Sequence, residues 1–243
     1  MLTPKDKNLQ RFTCEVVPTS KIAMVSTDIC YDARYLQRLS SRGIHLPEKM
    51  HHEAVLKRKC EFSAGRYCAF YAQKNLGIEI PSKVGIGSNR EPVWPSGIVG
   101  SISHCQGKAV AVAAYQSDCK YLGVDIEPLI KPQTCSQIWD SILCEDEFKY
   151  RYHFLNEELF LTTIFSAKES LYKAIFPYIN VIASFDTAKL TGVDPSSRVL
   201  YLSLSRSFNA TLQHGCTFPI GYQMFTDKVI LTLVRCNTKT IGV

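Results

Sequence analysis

Residues 121–128 read YLGVDIEP, a short β-prone run that carries two acids in an otherwise apolar setting. Side chains two apart in a strand share a face, so Asp125 and Glu127 project together while Val124 and Ile126 point the other way. Two carboxylates a few ångströms apart raise each other's pKa unless a cation lies between them. Paired hard oxygen ligands are how proteins hold Mg²⁺, with substrate phosphates completing the shell. Taken alone, the pair is equally compatible with two solvated acids at a strand end.

Two further apolar runs precede this one, Ile98 to Ser103 and Lys108 to Tyr115, the second of them rich in valine. The pattern predicts three strands adjacent in one sheet. Before them, residues 85–100 (GIGSNREPVWPSGIVG) are too rich in glycine and proline for a regular element and predict an ordered binding loop. From Pro47 to about Leu76 the pattern is helical, with proline near its start and Gly77 as its closing cap. Residues 1–46 mix apolar stretches with turns and hold no assignable chemistry.

On the other side, residues 129–136 (LIKPQTCS) read as a turn-rich connection, the best internal boundary that composition offers. Helical pattern resumes near Gln137. A strong helix is predicted from Asn156 to Phe176, with Phe160, Ile164, Ala167, Leu171 and Ile175 on one face. From Phe185 onward, β-prone runs such as VLYLSL and VILTLV alternate with turns. Each half therefore reads as helix plus antiparallel strands, an α+β fold.

The 243 residues suit one large domain or two fused smaller ones. Apolar residues at 46% and charged ones at 21% exclude wholesale disorder and collagen-like structure. The net charge of +6 suits an anionic partner or simply aids solubility. Ten cysteines without any CxxC pair exclude zinc-ribbon and thioredoxin-type sites. The opening MLTPKDKNLQRF lacks an apolar h-region and no stretch approaches eighteen apolar residues, so a cytoplasmic protein with reduced thiols and no transmembrane segment is expected.

Two more segments hold polar residues that a core does not need. Within FSAKESLYKA (residues 165–174), Glu169 and Lys173 stand four apart, the spacing of a surface ion pair. Alternatively Glu169 is a third carboxylate beside Asp125 and Glu127, with Lys173 neutralising phosphate. In GSISH (residues 100–104), Ser103 and His104 cannot form a nucleophile–base pair, because adjacent strand residues face opposite ways. A hydrolase would also need a G-x-S-x-G elbow. Donors at a strand end can instead bind phosphate together with loop amides. A nucleic-acid-binding reading finds no basic stripe with interleaved aromatics.

GVDIEP followed about forty residues later by FSAKESLYKA, with REPVWPSGIVGSISHC and CEFSAGRYCAFYAQKNLG upstream, resembles the signature of the phosphopantetheinyl transferases. The likeness runs from about Lys57 to Ala174 and is to the larger, monomeric branch, which serves siderophore and other non-ribosomal peptide synthetases. It implies two similar α/β halves with pseudo-twofold symmetry and a cleft between them, divided here as 1–116 and 117–243. It further implies transfer of the 4′-phosphopantetheine arm of coenzyme A to a serine of an apo carrier protein, with release of 3′,5′-ADP. Asp125, Glu127 and Glu169 become the Mg²⁺ ligands, Glu169 also the proton acceptor, and Lys173 a phosphate contact. Arg58 and Arg66, eight apart on one helical face, match arginines on the nucleotide end, Ser103 and His104 match coenzyme A contacts, and Arg90, Glu91 and Pro92 match the adenine side. Asn89 stands where some relatives carry a basic residue. The implied partner is an acidic carrier, which a +6 monomer complements. The alternative is a catalytically silent coenzyme A-binding protein, although all three carboxylates and Lys173 are present.

Overall fold

The computed structural model describes residues 22–237. Cys14 and the opening MLTPKDKNLQRF lie outside them. The chain divides into two compact units between Gln116 and Ser117.

The first unit contains β1 (Ile22–Asp28), α1 (Ala33–Ser40), α2 (Glu48–Glu53), α3 (Leu56–Asn75), the two-residue strands β2 (Gly85–Ile86) and β3 (Pro92–Val93), then β4 (Ile98–Cys105) and β5 (Lys108–Tyr115). Its sheet is antiparallel in the order β1-β5-β4. In β5 the alternate residues Ala109, Ala111 and Ala113 form one small-residue face, and Cys60, Ala64, Cys68 and Ala72 of α3 pack in the same core. Small groups on both surfaces let the helix lie close to the strand. The helix expected from Pro47 to Leu76 is interrupted, because Ala54 and Val55 are extended (ψ 145° and 155°), and Val55 starts α3 without a side-chain cap. Gly77 closes α3 in the left-handed region, with φ +91°.

The second unit contains β6 (Tyr121–Pro128), α4 (Pro132–Ile142), a 3₁₀ segment (Glu145–His153), α5 (Glu157–Ile179), a short 3₁₀ turn (Phe185–Thr187), β7 (Ala188–Asp194), β8 (Val199–Leu204), β9 (Thr217–Thr226) and β10 (Val229–Cys236). Its antiparallel sheet runs β6-β10-β9-β8-β7. Here β6 departs from expectation. It does not join β4 and β5 but pairs with β10, placing Asp125 opposite Thr232. The Asn237 side chain fixes the entry to β6, accepting from the Lys120 amide at 2.9 Å and donating to the Asp118 carbonyl at 3.1 Å. An apolar run announces a strand but not its partner. The LIKPQTCS stretch is likewise no boundary, since Pro132 sits in the first turn of α4 where its missing amide proton is harmless.

Helix α5 matches its periodicity. Asn156 caps it by accepting from the Leu159 amide at 2.8 Å, Asn180 ends it in the left-handed region, and the five apolar residues singled out above are all buried. Among the described residues no helix is long and apolar enough to cross a membrane.

Candidate active site

The second unit's site begins with a glycine. A Cβ built on Gly123 would lie 1.9 Å from the Ser170 carbonyl oxygen, so only glycine lets the backbone of α5 come this close to β6. Residue 125 shares that strand face. Asp125, 1% exposed, therefore reaches the helix directly. Its Oδ2 accepts from Ser166 Oγ at 2.8 Å and its Oδ1 from Lys173 Nζ at 2.6 Å. Lys173 thus forms its short ion pair across the strand–helix gap rather than following the intrahelical spacing to Glu169.

Glu127 lies one pleat further along. Burial pushes its carboxyl up to about 7, with the Asp125 charge adding, Lys173 opposing and Glu169 adding. Glu169 is also raised, mainly by burial, with Lys173 opposing and Asp125 adding. The three acids therefore feel one another's field, with one ammonium group among them. Among the described residues, no three His, Cys, Asp or Glu groups stand as a ready-made metal cage. The donor chemistry nonetheless fits a divalent cation. Hard oxygens on one strand face and one helix, with raised proton affinity and incomplete compensation, are what such an ion would stabilise.

Sequence reasoning assigned nothing to Ser166 or to Lys168. Lys168 is buried, donating to the Ile142 carbonyl at 2.7 Å and to Glu147 at 2.9 Å. Glu147 also accepts from the Cys144 and Leu190 amides, both at 2.7 Å. This pair ties the 3₁₀ segment and β7 to α5. Beside Glu169 opens a cavity of about 260 Å³ whose walls include Tyr172, Ile175, Ile182, Phe185 and Thr187. Thr187 Oγ1 is buried there with no hydrogen-bond partner among the described residues. No sequence signal marked this cavity, because its far wall comes from the short 3₁₀ turn.

The first unit carries the predicted basic residues. A cavity of about 630 Å³ is lined by Arg58, Arg66, Arg90, Pro92 and His104, among others. Arg66 is braced, donating from Nη2 to the Gly85 carbonyl at 2.8 Å and lying 4.6 Å over the Phe62 ring. Burial, then the Arg58 charge, lower its pKa to about 10. Its Nε finds no partner among the described residues, so one donor of the fork is unspent. Arg58 Nη1 lies 3.0 Å from His104 Nε2. Because arginine only donates, that nitrogen must be the unprotonated one.

The loop between β2 and β3 presents Arg90 with φ +67°. Glu91 is not on the cavity wall. Its carboxylate folds back to accept from the Asn89 amide at 2.9 Å and fills the space beside Gly87, where a Cβ would approach it to 1.8 Å. Asn89 directs its side chain to Ser88 Oγ at 3.4 Å. Along β4, Ile102 and His104 line the cavity while Ser103, one residue between them, does not.

Two family profiles match the chain. The 4′-phosphopantetheinyl transferase N-terminal domain covers residues 46–114 and the 4′-phosphopantetheinyl transferase superfamily covers 121–225. The chain is 35% identical over 195 residues to enterobactin synthase component D of Salmonella typhimurium, covering 78% of each. It is 42% identical over 120 residues to the Escherichia coli K12 protein of the same name, across 49% of this chain and 55% of that one. To the 4′-phosphopantetheinyl transferase Svp of Streptomyces mobaraensis it is 36% identical over 154 residues, 62% of each.

Proposed function

The chain belongs to the 4′-phosphopantetheinyl transferase superfamily, and from that premise we propose that it moves the phosphopantetheine arm of coenzyme A onto a serine of an apo carrier protein. The serine oxygen bonds to the phosphorus that bears the arm. The bond from that phosphorus to the bridging oxygen breaks, 3′,5′-ADP departs and the serine proton leaves. What carries this reading is the gathering of Asp125, Glu127, Glu169 and Lys173 where β6 meets α5.

Each group has a task suited to its surroundings. Glu169, whose proton affinity is raised by burial, accepts the serine proton, directly or through water. Lys173, an ammonium on a flexible stem, turns from Asp125 toward the departing phosphate. Asp125, Glu127 and Glu169 would hold Mg²⁺, which supplies charge neutralisation to the diphosphate. The cavity beside Glu169, mostly apolar with one unpartnered hydroxyl, suits the gem-dimethyl, methylene and amide groups of the pantetheine arm. In the first unit, Arg58, Arg66 and His104 grip the phosphates of the nucleotide end, the arginines with two donors at once. Arg90 and Pro92 border the base, Glu91 holds their loop, and Ser103 is kept as a coenzyme A contact on the family motif alone.

Relatives named enterobactin synthase component D support carriers of siderophore or other non-ribosomal peptide synthetases as the acceptors. We assign the enzyme to the cytoplasm as a monomer. Mass spectrometry of apo carrier domains incubated with coenzyme A and Mg²⁺ tests the proposal. One added phosphopantetheine arm on the carrier serine is the expected result. No mass gain on peptide, aryl or fatty-acyl carriers would refute it.

A further inference from the structure

We propose that Thr232 and Ser166 are positioning residues that lock Oδ2 of Asp125, leaving Oδ1 as the oxygen that exchanges Lys173 for a cation. The inference rests on the reading of Asp125 as a metal ligand.

The geometry is a three-group chain. Ser166 Oγ stands 2.8 Å from Asp125 Oδ2 and 2.9 Å from Thr232 Oγ1. Thr232 Oγ1 in turn donates to the Ser166 carbonyl at 2.8 Å. Two hydroxyl protons must serve three contacts. Thr232's proton points to the Ser166 peptide, so it is the Ser166 proton that chooses between the Thr232 oxygen and the carboxylate. A charged acceptor makes the stronger hydrogen bond, so the proton goes to Asp125. Thr232 supplies the back wall that keeps the Ser166 oxygen in line.

The supports differ on the two sides of the carboxylate. Thr232 lies directly across the β6–β10 ladder from Asp125, on the same face and fully buried. Its β-branched side chain has few rotamers to explore, and Ser166 is buried as well. Neither hydroxyl is a group a metal would displace. On Oδ1, Lys173 has a long stem and its side chain is 28% exposed. One oxygen is therefore pinned by short, neutral, buried donors, and the other is held by a cation able to move. Ligand-orienting partners of this kind matter because the ligand's direction, not only its identity, sets metal affinity.

Mn²⁺ binding to the full chain, read by electron paramagnetic resonance, tests the assignment alongside thermal melting and the Mg²⁺ dependence of carrier loading. Thr232→Val keeps the shape and removes the hydroxyl. It should weaken Mn²⁺ binding about tenfold and raise the Mg²⁺ concentration for half-maximal loading similarly, while the rate at saturating Mg²⁺ stays near wild type. Thr232→Ser should restore binding. Wild-type Mn²⁺ affinity in Thr232→Val, with only a lowered melting point, would reduce Thr232 to a packing residue and overturn the proposal. Should Thr232→Val fail to fold, Ser166→Ala removes the donor itself, and wild-type affinity there overturns it equally. Asp125→Asn separates the two readings. If it binds Mn²⁺ as the wild type does, the metal assignment falls and this inference with it. If only Asp125→Asn loses binding, the positioning claim alone is wrong.

Discussion

The two units share a plan and differ in charge. Each lays one long helix, α3 or α5, across an antiparallel sheet. Residues 1–116 hold sixteen Lys and Arg against nine Asp and Glu, and residues 117–243 hold twelve against thirteen. The whole-chain value of +6 therefore conceals a basic unit and a near-neutral one. In the first, arginines line an open cavity. In the second, one buried acid, Asp125, and two half-buried ones, Glu127 and Glu169, stand at the strand–helix contact. The same helix-on-sheet scaffold thus presents either basic or acidic side chains, and the choice lies in a handful of residues rather than in the architecture.

The sharpest test of that contrast separates binding from chemistry. Glu169→Gln removes the proposed proton acceptor and one of its carboxylate oxygens, and should lower the rate of carrier loading by at least about a thousandfold. Arg66→Ala removes a braced guanidinium that we propose binds phosphate, and should raise KM for coenzyme A about tenfold with the rate at saturation little changed. Steady-state loading assays distinguish the two. A fall in kcat from the arginine variant, or a pure KM effect from the glutamate variant, would erase the division of labour.

Stability should divide as well. The second unit contains a buried ion pair, with the Lys168 side chain 3% exposed and that of Glu147 1%, whereas Lys57–Glu61 in the first has its lysine 71% exposed. Lys168→Met strands a buried carboxylate and should destabilise the protein by about 3–5 kcal/mol. Lys57→Met should change stability by less than about 1 kcal/mol. Urea unfolding measures both, and a Glu147→Leu/Lys168→Met double variant should recover much of the loss.

The helix–sheet contacts give a smaller contrast. A methyl group at Gly123 meets the Ser170 carbonyl, which is backbone and cannot turn aside, while one at Gly65 meets Ile102 Cγ2 at 2.8 Å, the end of a side chain that can. Gly123→Ala should therefore destabilise by about 2–3 kcal/mol and Gly65→Ala by about 1 kcal/mol or less. Equal losses would mean that α3 is seated as tightly as α5.

What the sequence disclosed follows from how locally each feature is encoded. Asp125 and Glu127 share a face because strand periodicity requires it, and α5 announced itself through its 3.6-residue apolar spacing. Arg58 and Arg66 could be placed on one face by helical spacing, and both line the cavity. The partner of β6 was hidden, because β10 lies about a hundred residues away and an apolar run fits either sheet. Lys173 satisfied the intrahelical ion-pair rule toward Glu169, yet the close approach at Gly123 gave it Asp125 instead. Thr232 carries no local pattern, and Glu147 closes locally only on the Cys144 amide, since each gains its main partners from residues distant in sequence.

The smallest expected effect concerns how each sheet closes a hairpin. In the first unit, β4 turns into β5 through Gln106 and Gly107 with φ +39° and +77°, a backbone-only device. In the second, β7 turns into β8 through Asp194, whose carboxylate accepts from Ser196 Oγ at 2.6 Å and from the Ser196 and Ser197 amides at 3.0 and 3.2 Å. The Ser196 hydroxyl, then Ser197, lower its pKa from 3.8 to about 2. A carboxylate with a depressed folded-state pKa stabilises the fold above its unfolded value and loses that contribution as pH falls through the folded one. The benefit should therefore be complete above pH 3.8 and disappear toward pH 2. At the protein surface, where solvent screens it, the benefit should be small. Wild type and Asp194→Ala should differ in acid-unfolding midpoint only as far as this window allows, and their stabilities should converge near pH 2. Gln106→Ala, which removes no titrating group, should show a pH-independent difference. A gap between wild type and Asp194→Ala that persists undiminished at pH 2 would assign the turn's stability to its backbone, making the two hairpins alike after all.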